Sequence, residues 1–312
     1  MHVVVTGSTG FVGSTLVPKL LKLGHDVTAL SRRSINSSFA DHAGNFSELI
    51  VSDLCEITSQ TFPTCDAVIH LAGIAHRKGM KDETVYEKVN YAATVHLASL
   101  AADNGCKHFI FMSTAKVHAE ATSEPINSSS PYAPPDQYSE TKARAEQTLF
   151  GMDLPMPVTA LRPPAVLGMP AKANLKHLIR LARSSIIPVP NPPNSRCFIG
   201  LENLCSATIK CMEHENPCGG GYLVHDGSPI STAELVKTIA NANKRQPRLI
   251  QLPKTVFKIS NRTIYKTTGK SLLNPFYEDF VIDCDQFIKQ YGWSRMYNTV
   301  EQIHAMFSNQ QG

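Results

Sequence analysis

The feature that most constrains this chain is a glycine loop close to its N-terminus. Thr6-Gly7-Ser8-Thr9-Gly10-Phe11-Val12-Gly13 follows the β-branched run His2 to Thr6 and opens an apolar segment of helical period, Phe11 to Leu23. A strand, a tight glycine turn and a helix start form the phosphate-binding unit of a doubly wound α/β sheet. In that reading Gly7 makes the turn and Gly10 admits a pyrophosphate, with Phe11 and Val12 beside it. Gly13 lets helix and strand pack closely, and the helix N-terminus offers N–H groups to phosphate. A glycine trio alone is a weak signal, and its strength here is the strand–turn–helix context.

Strand-like and helix-like segments alternate onward. Strands are expected at Asp26 to Leu30, Glu48 to Val51, Asp66 to Leu71, Lys107 to Ser113 and Val158 to Leu161. Long helices are expected at Glu83 to Asn104 and Asp136 to Phe150. This alternation predicts an α/β fold, a Rossmann doubly wound parallel sheet with helices on both faces. After Leu161 seven prolines, from Pro163 to Pro193, crowd a short stretch. Irregular loops are expected there around one helix, Ala171 to Arg183, after which the segments Glu202 to His214, Gly221 to His225 and Ser231 to Asn243 alternate again. We expect a dinucleotide-binding domain over 1–167, with segments near 196–226 returning to it, and a smaller substrate domain over 168–312.

Charge excludes little. Lys and Arg number 30 against 26 Asp and Glu, a net charge of +4 over 312 residues. So mild a balance points to neither nucleic acid nor membrane as a partner. No apolar run approaches the ~18 residues of a transmembrane helix. The chain opens into a strand and then the glycine loop, so no signal peptide is expected. Eight cysteines form no C-x-x-C pair and no zinc-ligand spacing, so reduced thiols, a cytoplasmic location and no metal are expected.

The second strand should end at the adenosine ribose. An acidic side chain there would favour NAD, but this chain has Ser31-Arg32-Arg33. A hydroxyl and two guanidiniums suit a 2′-phosphate, so NADP is favoured with NAD the alternative. The pair could also be two solvated loop charges. Asp53, followed by Leu54 after the third strand, could bond the adenine amine or cap a helix, and the two are about even.

Tyr138-Ser139-Glu140-Thr141-Lys142 sets Tyr138 and Lys142 on one face of a helix. A nearby ammonium and an oxidised nicotinamide both favour the phenolate, so Tyr138 could serve as general base or acid. Thr114, at the end of the fifth strand, could bond the reacting oxygen.

These motifs together resemble extended short-chain dehydrogenases/reductases of the NAD-dependent epimerase/dehydratase family. The residues that carry the resemblance are TGSTGFVG (Thr6 to Gly13), HLAG (His70 to Gly73), Asn90 with Thr94, FMSTAKV (Phe111 to Val117), YSETK (Tyr138 to Lys142) and LRPPAVLG (Leu161 to Gly168). The resemblance implies a triad of Thr114, Tyr138 and Lys142 and a nucleotide-sugar substrate such as a UDP-hexose. It implies that Leu71, Ala72, Gly73 and Asn90 line the cofactor and that Pro163 to Val166 meets the nicotinamide. It also implies substrate contacts at Ser113, Lys172, Asn174 and Leu175, at Pro188 and Val189 beside the uracil, and at Arg196 on the diphosphate. Relatives are often dimers through their paired long helices.

Within the family, 4,6-dehydratases carry an acidic pair after the catalytic threonine, where this chain has Ala115-Lys116. Dehydration is therefore not expected. Two enzyme readings remain. The favoured one is a 4-ketoreductase of a UDP-4-keto-6-deoxy-N-acetylhexosamine in surface-polysaccharide synthesis, and the alternative is a UDP-sugar 4-epimerase with retained NAD. A reductase of a small apolar ketone is disfavoured by Asn174 and Arg196. A non-catalytic dinucleotide-binding regulator is the reading from another class, and the retained Tyr138 and Lys142 weigh against it.

Overall fold

The computed structural model describes the chain apart from residues 35–38, 40–43, 76–82, 123, 172, 269–272 and 309–312, and apart from the side chains of Glu83, Ala173, Asn174 and Thr268. Its elements run β1 (His2–Thr6), α1 (Gly13–Lys22), β2 (Asp26–Ser31), β3 (Phe46–Ile50), β4 (Ala67–His70), α2 (Glu83–Tyr86), a π-helical segment (Glu87–Ala92), α3 (Ala93–Asp103), β5 (His108–Met112) and α4 (Gln137–Gly151). They continue with β6 (Val158–Arg162), β7 (Ala165–Leu167), α5 (Ala173–Leu181), β8 (Ile186–Asn191), β9 (Phe198–Gly200), α6 (Leu201–Met212) and β10 (Gly220–Leu223). The chain ends in α7 (Thr232–Ala242), β11 (Arg248–Pro253), α8 (Lys254–Thr268), α9 (Asn274–Tyr277), α10 (Asp285–Tyr291) and α11 (Thr299–Ser308). The expected strands and helices are present with ends shifted by a few residues, as fraying ends generally are. The expected long helix over 83–104 is one helical run interrupted by the π segment.

Seven strands form one parallel sheet in the order β10-β6-β5-β4-β1-β2-β3, a doubly wound Rossmann arrangement. Its central strands carry apolar residues on both faces because both faces are covered. Val3 and Val5 pack with Leu16, Val17 and Leu20 of α1 and with α6 and α10. Val4, between them, points the other way, to Leu97 of α3 and Leu149 of α4. β10 returns to the edge of this sheet beside β6. A second core joins Leu175 and Leu178 of α5, Ile187 and Val189 of β8, α7 and α11. β8 pairs with β11 in a separate two-stranded sheet. Among the described residues no helix is long and apolar enough to cross a membrane.

Candidate active site

The glycine loop is built as its sequence requires. Gly7 has φ +70°, and a Cβ there would stand 2.8 Å from the Ala72 amide nitrogen. A Cβ on Gly13 would stand 2.3 Å from the Gly7 carbonyl, so no side chain fits between strand and helix. Inside the loop the Ser8 hydroxyl is buried without a hydrogen-bond partner among the described residues. A phosphate oxygen would satisfy that hydroxyl and lie on the N-terminus of α1, so these residues fit a dinucleotide. Phe11 packs under Gly168, and Val12 caps α1.

One buried hydrogen-bond chain ties this loop to the rest of the cofactor side. Thr94 donates to the Asn90 carbonyl (2.8 Å), so its hydroxyl accepts from His70 Nε2 (2.9 Å). Burial pushes His70 down to about 3, with the Lys142 charge adding to the effect, so the ring is neutral and Nδ1 is bare. Nδ1 then accepts from Thr6 Oγ1 (2.7 Å), which in turn accepts from the Ala72 amide (3.1 Å). The end of β1, the end of β4 and the π segment are thus fixed together.

Asn90 is fully buried, and its amide bonds neighbouring groups through both its oxygen and its nitrogen. Oδ1 accepts from Ile74 N (2.8 Å), and Nδ2 donates to Ile74 O (3.0 Å) and Thr141 Oγ1 (3.3 Å). These bonds anchor the backbone that follows Leu71, Ala72 and Gly73.

Tyr138 stands at the start of α4, whose first turn is fixed by Asp136 and Ser139 in a reciprocal capping box. Thr114 follows β5 and hydrogen-bonds the tyrosine. Lys142, one turn on, is buried, and its ammonium donates to the Met112 carbonyl (2.9 Å) over the Phe111 ring. A Cβ on Gly73 would lie 3.2 Å from Lys142 Nζ, which sets the lysine against the cofactor-side loop. Burial pushes Lys142 down to about 7, while Glu146 pulls it back up. Burial and the Asp136 carboxylate push Tyr138 above its ordinary value, with only the Thr114 bond opposing them. The expected phenolate is therefore not favoured by the protein alone. The lysine points away to a carbonyl, and desolvation outweighs its charge. The arrangement can hold one proton at Tyr138 between Thr114 and a reacting oxygen.

Beyond this centre the expected residues are dispersed. Arg32 and Arg33 are exposed after β2, and Ser31 Oγ closes that turn on the Arg33 carbonyl (2.7 Å). Asp53 caps a short 3-10 turn over Leu54–Glu56 through Cys55 N (3.0 Å) and pairs with Lys88, which realises the capping alternative. Ser113 is buried, its hydroxyl without a hydrogen-bond partner among the described residues. Pro163 is buried, and Val166 lies half-buried on β7. Arg196 donates to the Glu278 carbonyl (2.9 Å) over the Phe280 ring. Leu175 and Val189 are core residues, and Pro188 is exposed. Lys172 and the Asn174 side chain lie outside the described residues.

Two ionic features behind the triad were not anticipated. Lys116 pairs with Asp136 at 2.6 Å. Arg162 and Glu146, both buried, are joined by bonds of 2.9 and 2.5 Å, with Tyr132 and His118 also bound to the guanidinium. Tyr-x-x-x-Lys-x-x-x-Glu extends the helical face by one turn to Glu146, a spacing that could have drawn attention to it.

Comparison with known proteins agrees with this geometry. A family model described as the NAD dependent epimerase/dehydratase family matches residues 3–224. The UDP-glucose 4-epimerase of Vibrio cholerae is 33% identical over 280 residues, spanning 85% of this chain and 83% of that protein. The fold matches the UDP-N-acetylglucosamine 4-epimerase from Bacillus cereus with a TM-score of 0.79 at 18% identity, over 100% of this chain and 97% of that one. It matches the UDP-glucuronic acid 4-epimerase from Bacillus cereus in complex with NAD with a TM-score of 0.77 at 18% identity, over 99% and 98% of the two chains.

Proposed function

The chain belongs to the NAD dependent epimerase/dehydratase family, enzymes of the extended short-chain dehydrogenase/reductase type, and on that premise we propose that it transfers hydride at C4 of a UDP-hexose. The observation that carries this reading is the meeting of Thr114, Tyr138 and Lys142 beside the loop formed by Ala72 and Gly73, which abuts Gly7. A bound nicotinamide dinucleotide supplies the hydride acceptor and donor. The chain's own residues handle the proton and the positioning. Tyr138 takes the proton of the C4 hydroxyl on oxidation and returns it on reduction, and Thr114 orients it. Lys142, against Gly73, holds the cofactor side of the site. Residues 1–167 with β10 form the cofactor half, and the remainder carries the substrate contacts, among them Arg196, Pro188 and Val189.

The first reading is a 4-epimerase, supported by the Vibrio cholerae relative, whose length the chain largely spans. The keto-sugar would turn in the site before hydride returns to its other face. The second reading is a 4-ketoreductase of a UDP-4-keto-6-deoxy-N-acetylhexosamine in surface-polysaccharide synthesis, and a specific observation favours it. Arg32 and Arg33 are exposed where NAD specificity calls for an acid, so NADP preference belongs with this reading.

Mass spectrometry of the nucleotide released on denaturing the purified protein separates the two, alongside NMR of UDP-glucose and UDP-N-acetylglucosamine incubated with it. Retained NAD with appearance of the 4-epimer supports the first. No retained nucleotide, with NADPH consumed by a UDP-4-keto-sugar, supports the second. Turnover in neither assay sinks both.

A further inference from the structure

The near-balance of charge over the whole chain conceals a segregated one. Between Leu235 and Thr268 lie eight of the 30 Lys and Arg residues and none of the 26 acidic ones, leaving 22 against 26 elsewhere. Four of the eight stand on α8: Lys254, Lys258, Arg262 and Lys266. This helix packs on the protein through a narrow stripe, with Phe257 and Asn261 buried and Ile264 half-buried. At 100° per residue, Ile259, Arg262 and Lys266 lie opposite that stripe.

An ordinary surface helix turns its apolar residues inward and its charges outward. On α8 the outward side mixes both, with Ile259, 64% exposed, among Arg262 and Lys266, and Tyr265 (55%) and Val256 (43%) exposed on the two flanks. A depression of about 310 Å³ opens among Asn261, Arg262, Tyr265 and Lys266. The cations call for an anionic partner. A nucleic acid would satisfy them but leave Ile259 and Val256 wet. A bilayer with anionic headgroups satisfies both, taking the cations at the phosphate level and the apolar tips at the acyl boundary, where an amphipathic tyrosine ring also suits.

We propose that α8 is a peripheral docking surface for an anionic phospholipid bilayer, lying along its interface with Arg262 and Lys266 on headgroup phosphates and Ile259 in the acyl boundary. Lys258 pairs with Glu278 at 3.8 Å, an exposed contact weak enough to exchange for a headgroup. No α8 residue belongs to the candidate active site, so the proposal holds whichever reaction the protein performs.

The test is co-sedimentation of the full chain with phosphatidylcholine vesicles, alone or mixed with phosphatidylglycerol, at low and high salt. Binding is expected only with phosphatidylglycerol and should fall with salt. Arg262→Gln with Lys266→Gln should weaken it roughly 30-fold, from about fivefold per cation near an anionic surface. Ile259→Ser keeps every charge and should weaken it roughly tenfold. The three positions lie off the packed stripe, so the variants should unfold at the wild-type temperature. If the double variant does not, Lys266→Gln alone replaces it, with roughly fivefold weakening expected. The proposal is overturned by absence of binding to either vesicle or by equal binding to both. It is also overturned if Ile259→Ser binds like the wild type, or if duplex DNA binds as tightly as the anionic vesicles.

Discussion

The ammonium of Lys116 lies 2.6 Å from the carboxylate of Asp136, so one ion pair joins the residue two beyond Thr114 to the residue two before Tyr138. Asp136 also caps α4 through Ser139 N (2.9 Å), and the Thr114 side chain accepts from Lys116 N (3.3 Å). The pair therefore spans the two segments whose hydroxyls meet in the site. Lys116→Gln is expected to lower kcat/KM by about tenfold while costing less than about 1 kcal/mol of stability, because both partners are partly exposed. Lys116→Arg should restore most of the activity. Steady-state kinetics beside thermal unfolding would check this, and unchanged kcat/KM in Lys116→Gln would remove the pair from the site.

In the proposed reaction Tyr138 exchanges a proton with the reacting oxygen beside Thr114. Tyr138→Phe removes that proton and little else. Activity should fall by about 10²–10⁴-fold with cofactor affinity retained. Turnover and cofactor titration on one preparation would decide it, and normal turnover refutes the role.

Arg32 is exposed at the end of β2, where a 2′-phosphate would sit. A charge-assisted bond there is worth about 1.5–3 kcal/mol, so Arg32→Ala should weaken NADPH by roughly tenfold or more and NADH far less. Equal weakening of both in fluorescence titrations argues against a 2′-phosphate contact.

The sheet was legible because β1, β4 and β5 carry apolar residues on both faces, as a doubly covered parallel sheet requires. The glycine loop and Tyr138 with Lys142 were legible because each is local, held within one turn or one helix face. Lys116–Asp136 and Glu146–Arg162 were not, since each joins residues 16 or more apart through tertiary packing. The bonds of Asn90 to the Ile74 backbone join residues 16 apart and were not legible for the same reason.

Glu146 and Arg162 form a buried pair behind Lys142. Room for the guanidinium exists only because position 221 is glycine, where a Cβ would stand 2.1 Å from Arg162 Cζ. Glu146→Ala leaves that buried cation unpaired and should cost about 3–5 kcal/mol in urea unfolding. Gly221→Ala is expected to destabilise as well, by displacing Arg162. Wild-type stability in Glu146→Ala would mean that water or another group reaches the guanidinium.

His70 links pH to stability. Its ring is fully buried and held near a pKa of about 3 by desolvation, against an ordinary value of 6.5. Above pH 6.5 folded and unfolded chains both hold it neutral. As pH falls below 6.5 the unfolded chain binds a proton that the folded chain refuses, so stability drops until the folded value near 3 is reached. At pH 5 this one residue should cost about 2 kcal/mol relative to pH 7.5. His108 and His225, also buried and held near about 4, act in the same direction. Urea unfolding at the two pH values should show the loss, and in His70→Asn the difference between them should shrink by about 2 kcal/mol. An unchanged difference would mean that His70 is protonated in the folded chain, which would break the Thr6–His70–Thr94 hydrogen-bond order and free Nδ1 to donate.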